Sequence, residues 1–130
     1  MLKLLGILGM LLILLWGMVE AAGLAAFVDS ISLLIVLGGG ALYTLAVSGA
    51  KQTASSKLDN LGTGAVYFGW LGLLIGVIAI AQSLDKISDG GALNVVRLGE
   101  AMSIGLLTVL YGYLMAWVLV PVIKSLMRDD

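Results

Sequence analysis

Four long runs of apolar residues alternate with shorter polar stretches along the chain. The runs cover residues 4–19, 31–50, 61–81 and 101–123, and the stretches between them are 20–30, 51–60 and 82–100. Each run approaches the length of about 20 residues that an α-helix needs to cross a bilayer. The pattern predicts an all-α integral membrane protein with four transmembrane helices, forming one domain over residues 1–130.

The composition supports membrane insertion and argues against several other classes of protein. Of the 130 residues 61% are hydrophobic and 12% are charged, and the mean hydropathy is +1.13, so a water-soluble fold would have to expose a large apolar surface. The net charge of −1 gives no basis for binding nucleic acid. The sequence has no histidine, no cysteine and no phosphate-binding loop. We therefore predict no enzymatic activity, no cofactor and no metal site.

The basic residues indicate the orientation in the membrane. Five of the seven lie on the side of the two termini, and two lie on the other side, which places both termini in the cytoplasm. The alternative for the first run is a cleaved signal peptide after Lys3. That run exceeds the usual apolar length of about 7–15 residues and further spans follow it, so a retained helix is the simpler interpretation.

The third and fourth runs each contain a stripe of small residues at helical spacing. Such stripes let helix backbones approach closely in lipid, where the hydrophobic effect does not drive association. Thr108 lies on the second stripe. Its hydroxyl either only donates a hydrogen bond to a backbone carbonyl one turn back or has a functional role. The two stripes are Gly62, Ala65, Gly69, Gly72, Gly76 and Ala79, and Ala101, Gly105, Thr108, Gly112 and Ala116.

The interiors of the predicted spans contain no Asp, Glu, Lys or Arg. Intramembrane acids mark proton and ion pathways because they can bind and release the ion. The chain thus has no carboxylate relay of its own, and any proton transfer would need an acid from a partner. The aromatic residues Trp16, Tyr67, Trp70 and Trp117 are interpreted as interfacial anchors. Pro121 removes the donor for the Trp117 carbonyl and predicts a bend.

Three motifs carry a resemblance that covers most of the chain. Residues 27–39 read Phe-Val-Asp-Ser-Ile-Ser-Leu-Leu-Ile-Val-Leu-Gly-Gly, and residues 68–76 read Phe-Gly-Trp-Leu-Gly-Leu-Leu-Ile-Gly. Residues 98–112 end in Leu-Leu-Thr-Val-Leu-Tyr-Gly. The sequence resembles the MotA/TolQ/ExbB proton-channel family, and within it the flagellar stator branch.

This resemblance implies a homopentamer around a central pore in the bacterial inner membrane. The third and fourth helices would surround two copies of a MotB- or ExbD-like single-span partner whose intramembrane Asp supplies the missing acid. Proton-motive force would be converted into mechanical work. The implied ion-pathway residues are Thr108, Tyr111 and Ser103; those for pore or partner-helix packing are Gly69, Gly72, Leu73, Gly76, Ala101, Gly105 and Gly112; and Pro121 sets the helix bend.

The chain also departs from the family pattern. Leu73 stands where the family has threonine or alanine, and Val66 and Ile31 replace prolines. Loss of a side-chain oxygen at position 73 favours protons over sodium, which needs several oxygen ligands. Residues 51–60 replace a sizeable cytoplasmic region, so flagellar rotation is not expected.

Two other interpretations stay open. One is a small structural or holin-like oligomer, which needs packing stripes but no ion relay. The other is a homopentamer that has lost its partner and conducts nothing.

Overall fold

A computed structural model describes residues 2–83, 88–89, 92–93 and 95–127 of the chain. Nearly all of these residues are helical, apart from short connections and a small antiparallel pairing of β1 (Ser88–Asp89) with β2 (Ala92–Leu93). The helices are α1 (Leu2–Ala22), α2 (Ser30–Val47), α3 (Ala54–Gln82), α4 (Val95–Leu114) and α5 (Val120–Met127), and a π-helical turn at Met115–Leu119 joins the last two.

Four stretches of these helices are long and apolar enough to span a bilayer. Their mean hydropathies lie between 2.0 and 2.1. They are Leu5–Ala22, Leu24–Val47, Ala54–Gln82 and Leu98–Met127. The predicted four-span, all-helical membrane protein is therefore confirmed.

The boundary between the second and third spans differs from the prediction. Residues 54–60, expected in a connection, form the first two turns of α3. The Thr53 side chain caps this helix by accepting a hydrogen bond from the Ser56 amide at 3.3 Å. The charged side chains of Lys57 and Asp59 suggested a loop, yet a 29-residue helix is about 43 Å long and extends beyond the hydrocarbon layer.

A compact connection joins α1 to α2. Gly23 adopts a φ of 79°, a conformation that glycine accepts without a Cβ clash, and a single 3₁₀ turn follows at Leu24–Phe27. The Asp29 carboxylate then caps α2 by accepting the Ser32 amide at 2.7 Å. Asp29 and Ser32, which belong to the motif at residues 27–39, therefore have a local structural role.

Helix α3 packs against α2 on one side and α4 on the next. A Cβ added to Gly40 would lie 3.2 Å from the Leu61 carbonyl oxygen, so α2 and α3 are in backbone contact. Val36 and Ala65 are fully buried at this junction. No position between Leu5 and Ala22 is buried, which makes α1 the peripheral helix of the described chain.

Candidate functional site

The two stripes of small residues face each other in the α3–α4 contact. A Cβ added to Gly69 would lie 2.7 Å from the Thr108 carbonyl oxygen, and one added to Gly112 would lie 2.6 Å from that of Ala65. Side chains larger than hydrogen at these glycines would push the backbones apart. The predicted close helix contact is therefore confirmed, and it lies within one chain.

Thr108 is enclosed by this contact. Its side chain is 2% exposed, and its hydroxyl lies 2.6 Å from the Gly105 carbonyl oxygen and 2.9 Å from that of Gly69. The methyl group packs against Gly72. The hydroxyl is thus bonded one turn back and also to the neighbouring helix, as membrane threonines often are. A part in ion conduction stays a prediction.

The structure separates the other two predicted ion-pathway residues from Thr108. The Tyr111 hydroxyl donates to the Phe27 carbonyl at 2.5 Å and accepts from the Asp29 amide at 2.9 Å, so it fastens the α1–α2 connection to α4. Ser103 lies exposed near the start of the fourth span and donates to the Glu100 carbonyl at 2.7 Å. The three hydroxyls do not converge on one point within the chain.

The other residues predicted to line the pore or contact a partner also lie on α3 and α4. Leu73 is half-buried, and its Cδ1 would lie 2.9 Å from a Cβ on Gly105. Gly76 lies opposite Gly105. Ala101 lines a cavity of about 310 Å³ between α2, α3 and α4. Their observed contacts are within the chain, and contact with a partner helix stays a prediction.

The fourth span changes geometry just before Pro121. The Val120 amide donates to the Met115 carbonyl, five residues back, which is the pattern of a π-helical turn. Pro121 follows directly and has no amide hydrogen to continue an α-helical ladder. The irregularity predicted for this site thus takes the form of a widened turn.

An ion pair joins the N-terminal part of α3 to α5. The Lys124 ammonium lies 2.8 Å from both carboxylate oxygens of Asp59, and both side chains are in part exposed. The sequence alone does not pair these residues, which are 65 positions apart in the chain. The sequence does show that both residues flank apolar runs on the same predicted side of the membrane, which makes a contact between them possible.

One side of the α3–α4 pair is not covered by α1 or α2. The residue that directly follows each stripe position is rotated by about 100° around the helix axis, away from the α3–α4 contact. Because α3 and α4 are antiparallel, these following residues of both helices lie on the same side of the pair. Helix α2 packs on the opposite side, where the Ser32 hydroxyl donates to the Ile104 carbonyl. We call the uncovered side the open face. Its side chains are exposed or half-buried: Val66, Trp70, Leu73, Val77, Met102, Leu106, Val109 and Tyr113.

The open face contains a polar pair that links its two helices. The Trp70 indole Nε1 donates to the Tyr113 hydroxyl at 3.3 Å, and the Tyr113 ring stacks on Trp117 with centroids 4.5 Å apart. Trp70 lies near the middle of α3, so its interpretation as an interfacial anchor is wrong. Position 70 is also near the centre of the predicted run 61–81, so that run already argued against an anchor. Tyr113 is not among the residues predicted for the site, although it directly follows the stripe residue Gly112 just as Trp70 directly follows Gly69.

Comparison with known proteins gives one match. The model of the MotA/TolQ/ExbB proton channel family matches residues 43–129, which is two thirds of the chain. The matched region begins within α2 and includes all of α3, α4 and α5. No curated protein and no solved structure matches the chain. The α3–α4 contact and the open face therefore lie in the part that matches.

Proposed function

Because the chain belongs to the MotA/TolQ/ExbB proton channel family, we propose that it forms the channel of a complex that converts proton-motive force into mechanical work. Five copies would surround a central pore. Two copies of a MotB- or ExbD-like single-span protein would occupy that pore, each with an aspartate in its membrane helix. A proton that crosses releases about 2.3 kcal/mol per 100 mV of membrane potential.

The open face is the observation that supports this proposal most directly. It runs along both helices of the matched region and has no Asp, Glu, Lys or Arg among its eight residues. A surface of this kind can pack against another helix, but it cannot bind and release a proton. The acid would therefore come from the partner helix that the face receives.

The stripe residues would set the width of the pore in this assembly. Gly69, Gly72, Gly105 and Gly112 keep α3 and α4 in backbone contact, so the two helices would act as one rigid wall. Leu73 belongs to the open face and would contact the partner directly. The widened turn before Pro121 would shape the inner end of the wall.

Each of the three predicted ion-pathway residues could contribute to proton conduction in a different way. Thr108 would take part only if its hydroxyl leaves a carbonyl oxygen to which it is bonded. Tyr111 would act through the α1–α2 connection that it holds. Ser103 would lie near the outer mouth, where protons enter. These roles assume that both termini are cytoplasmic in a bacterial inner membrane.

The output of such a complex would be delivered by the partner. Only residues 48–53 connect α2 to α3, which is too short for a domain that pushes on a rotor. We therefore propose that the partner carries force to the outer side of the membrane.

Reconstitution of the complex tests the proposal. The chain is co-expressed with a single-span protein that has a membrane aspartate, and proton uptake into liposomes is followed with a pH-sensitive dye. We expect flux with this partner, no flux when its aspartate is replaced by asparagine, and five copies of the chain by native mass spectrometry. Release of a trapped fluorescent dye without a partner would instead identify a holin-like pore. Unchanged flux with the asparagine partner would overturn the proposal.

A further inference from the structure

Trp70 and Tyr113 lie at the same depth, near the middle of the membrane. Each is eleven residues from its end of the Asp59–Lys124 ion pair, which must lie outside the hydrocarbon layer. The eleven residues of α3 from Asp59 to Trp70 rise by about 16 Å, which is half of a core about 30 Å thick. Tyr113 lies at the same depth because it is hydrogen-bonded to Trp70. The hydrogen bond between the two side chains therefore lies close to the bilayer midplane.

Polar groups at this depth are unfavourable against lipid. Unpaired donors and acceptors lose their hydrogen bonds to water there, and acyl chains cannot replace them. Trp70 is nonetheless 47% exposed, and Tyr113 is half-buried beside it on the open face. A surface with these groups at the midplane is suited to contact with a polar group of a protein, or with water.

Three hydroxyls near the middle of the fourth span, Leu98–Met127, differ in what they can still donate. Thr108 donates to a backbone carbonyl inside the α3–α4 contact, and Tyr111 donates to the Phe27 carbonyl on the covered side. Tyr113 accepts a hydrogen bond from Trp70, and its own proton has no acceptor among the described residues. Of these three, only Tyr113 has a proton to offer to a second molecule.

We infer that Tyr113, oriented by Trp70, donates a hydrogen bond to the membrane carboxylate of the partner helix seated on the open face. This inference rests on the proposed function and adds the residue that meets the acid. A phenol proton stabilises the ionised carboxylate, because a hydrogen bond to the charged form favours that form. The indole N–H bonded to the phenol oxygen fixes the direction of the hydroxyl and polarises it.

A pair of matched variants tests this assignment in the reconstituted complex. Tyr113→Phe removes the hydroxyl and keeps the ring that stacks on Trp117. We expect at least about a tenfold loss of proton flux, since hydrogen bonds to charged groups are among the stronger ones. The midpoint of the pH dependence of flux should also move to higher pH, because the partner acid then ionises less readily. The control is Tyr43→Phe: Tyr43 lies on α2 and packs against Gly64 of α3, so its variant should leave flux and midpoint unchanged.

Disulfide formation provides a second test that does not depend on flux. A cysteine replaces the partner's membrane aspartate and is combined with Tyr113→Cys or with Leu114→Cys. Leu114 is the next residue and lines a cleft against α1, on another side of α4. We expect cross-linking to position 113 and little to position 114.

The possible results separate the inference from the function on which it rests. If Tyr113→Phe retains wild-type flux and midpoint while flux still requires the partner aspartate, the inference is wrong and the proposed function stands. Equal or stronger cross-linking at position 114 would also overturn the inference. If the wild-type complex conducts no protons, the proposed function fails, and the assignment of Tyr113 fails with it.

Discussion

The Thr108 hydroxyl lies 2.9 Å from the carbonyl oxygen of Gly69 on the neighbouring helix. A side chain as short as threonine reaches the backbone of another helix only when the two helix axes are unusually close. The glycine stripes of α3 and α4 provide that distance. The hydrogen bond and the stripes are therefore parts of one arrangement.

Removal of the Thr108 hydroxyl should weaken the α3–α4 contact. Thr108→Val keeps the shape of the side chain but loses the bonds to the Gly69 and Gly105 carbonyls. We expect a loss of about 1 kcal/mol, measured by unfolding in mixed micelles. Thr108→Ser keeps the hydroxyl and is the control for the hydrogen bond. Equal stability of the valine variant and the wild type would contradict the prediction.

An added methyl group should have opposite effects at two glycines. At Gly112 a Cβ would lie 2.6 Å from the Ala65 carbonyl oxygen, so Gly112→Ala forces the backbones apart. We expect it to cost about 1–3 kcal/mol. At Gly38 nothing lies within 4 Å of an added Cβ, so Gly38→Ala should be neutral or stabilise α2 by up to about 1 kcal/mol. Similar losses for both variants, in the same unfolding assay, would argue against close packing as the cause.

Tyr111→Phe should loosen the connection between α1 and α2. The variant removes the acceptor of the Asp29 amide and the donor to the Phe27 carbonyl. We expect the Asp29 amide to exchange its hydrogen about tenfold faster, because each bond contributes about 1 kcal/mol. The Ser48 amide, which donates to the Thr44 carbonyl at the other end of α2, should exchange at its wild-type rate. Unchanged exchange at Asp29 would show that Tyr111 does not hold the connection.

The ion pair between Asp59 and Lys124 should contribute little to stability. Both side chains are in part exposed, so water and salt screen their attraction. We expect Asp59→Asn to cost less than about 1 kcal/mol in the same assay, and the loss to shrink further in high salt. The exchanged pair Asp59→Lys with Lys124→Asp should recover wild-type stability. A loss of several kcal/mol, independent of salt, would mean that the pair is buried in the assembled complex.

The sequence allowed prediction of features that depend on composition and helical spacing. The four spans follow from apolar runs, and the close helix contact follows from the spacing of Gly69, Gly72, Gly105 and Gly112. The start of α3 was missed because charge alone does not end a helix. Thr53 caps the helix outside the hydrocarbon layer, and polar residues form its first turns there.

The partners of the polar side chains could not be predicted from the sequence. Tyr111 is bonded to residues more than eighty positions away, and that distance is closed only when α1 and α2 fold against α4. The open face follows from spacing once two stripes are known to pack against each other, so Trp70 and Tyr113 were within reach of sequence reasoning. The direction of each hydroxyl was not, because it depends on the neighbouring carbonyls.

The π-helical turn at Met115–Leu119 has a consequence for how this segment tolerates mutation. It uses one residue more than an ordinary turn, so every side chain beyond it is rotated by about 100° from its place in an uninterrupted α-helix. Lys124 lies in this rotated part of the chain and is paired with Asp59. Deletion of a single residue here would turn Lys124 away from its partner, whereas most substitutions of the same residues would not. The number of residues in this segment is thus under stronger constraint than their identity.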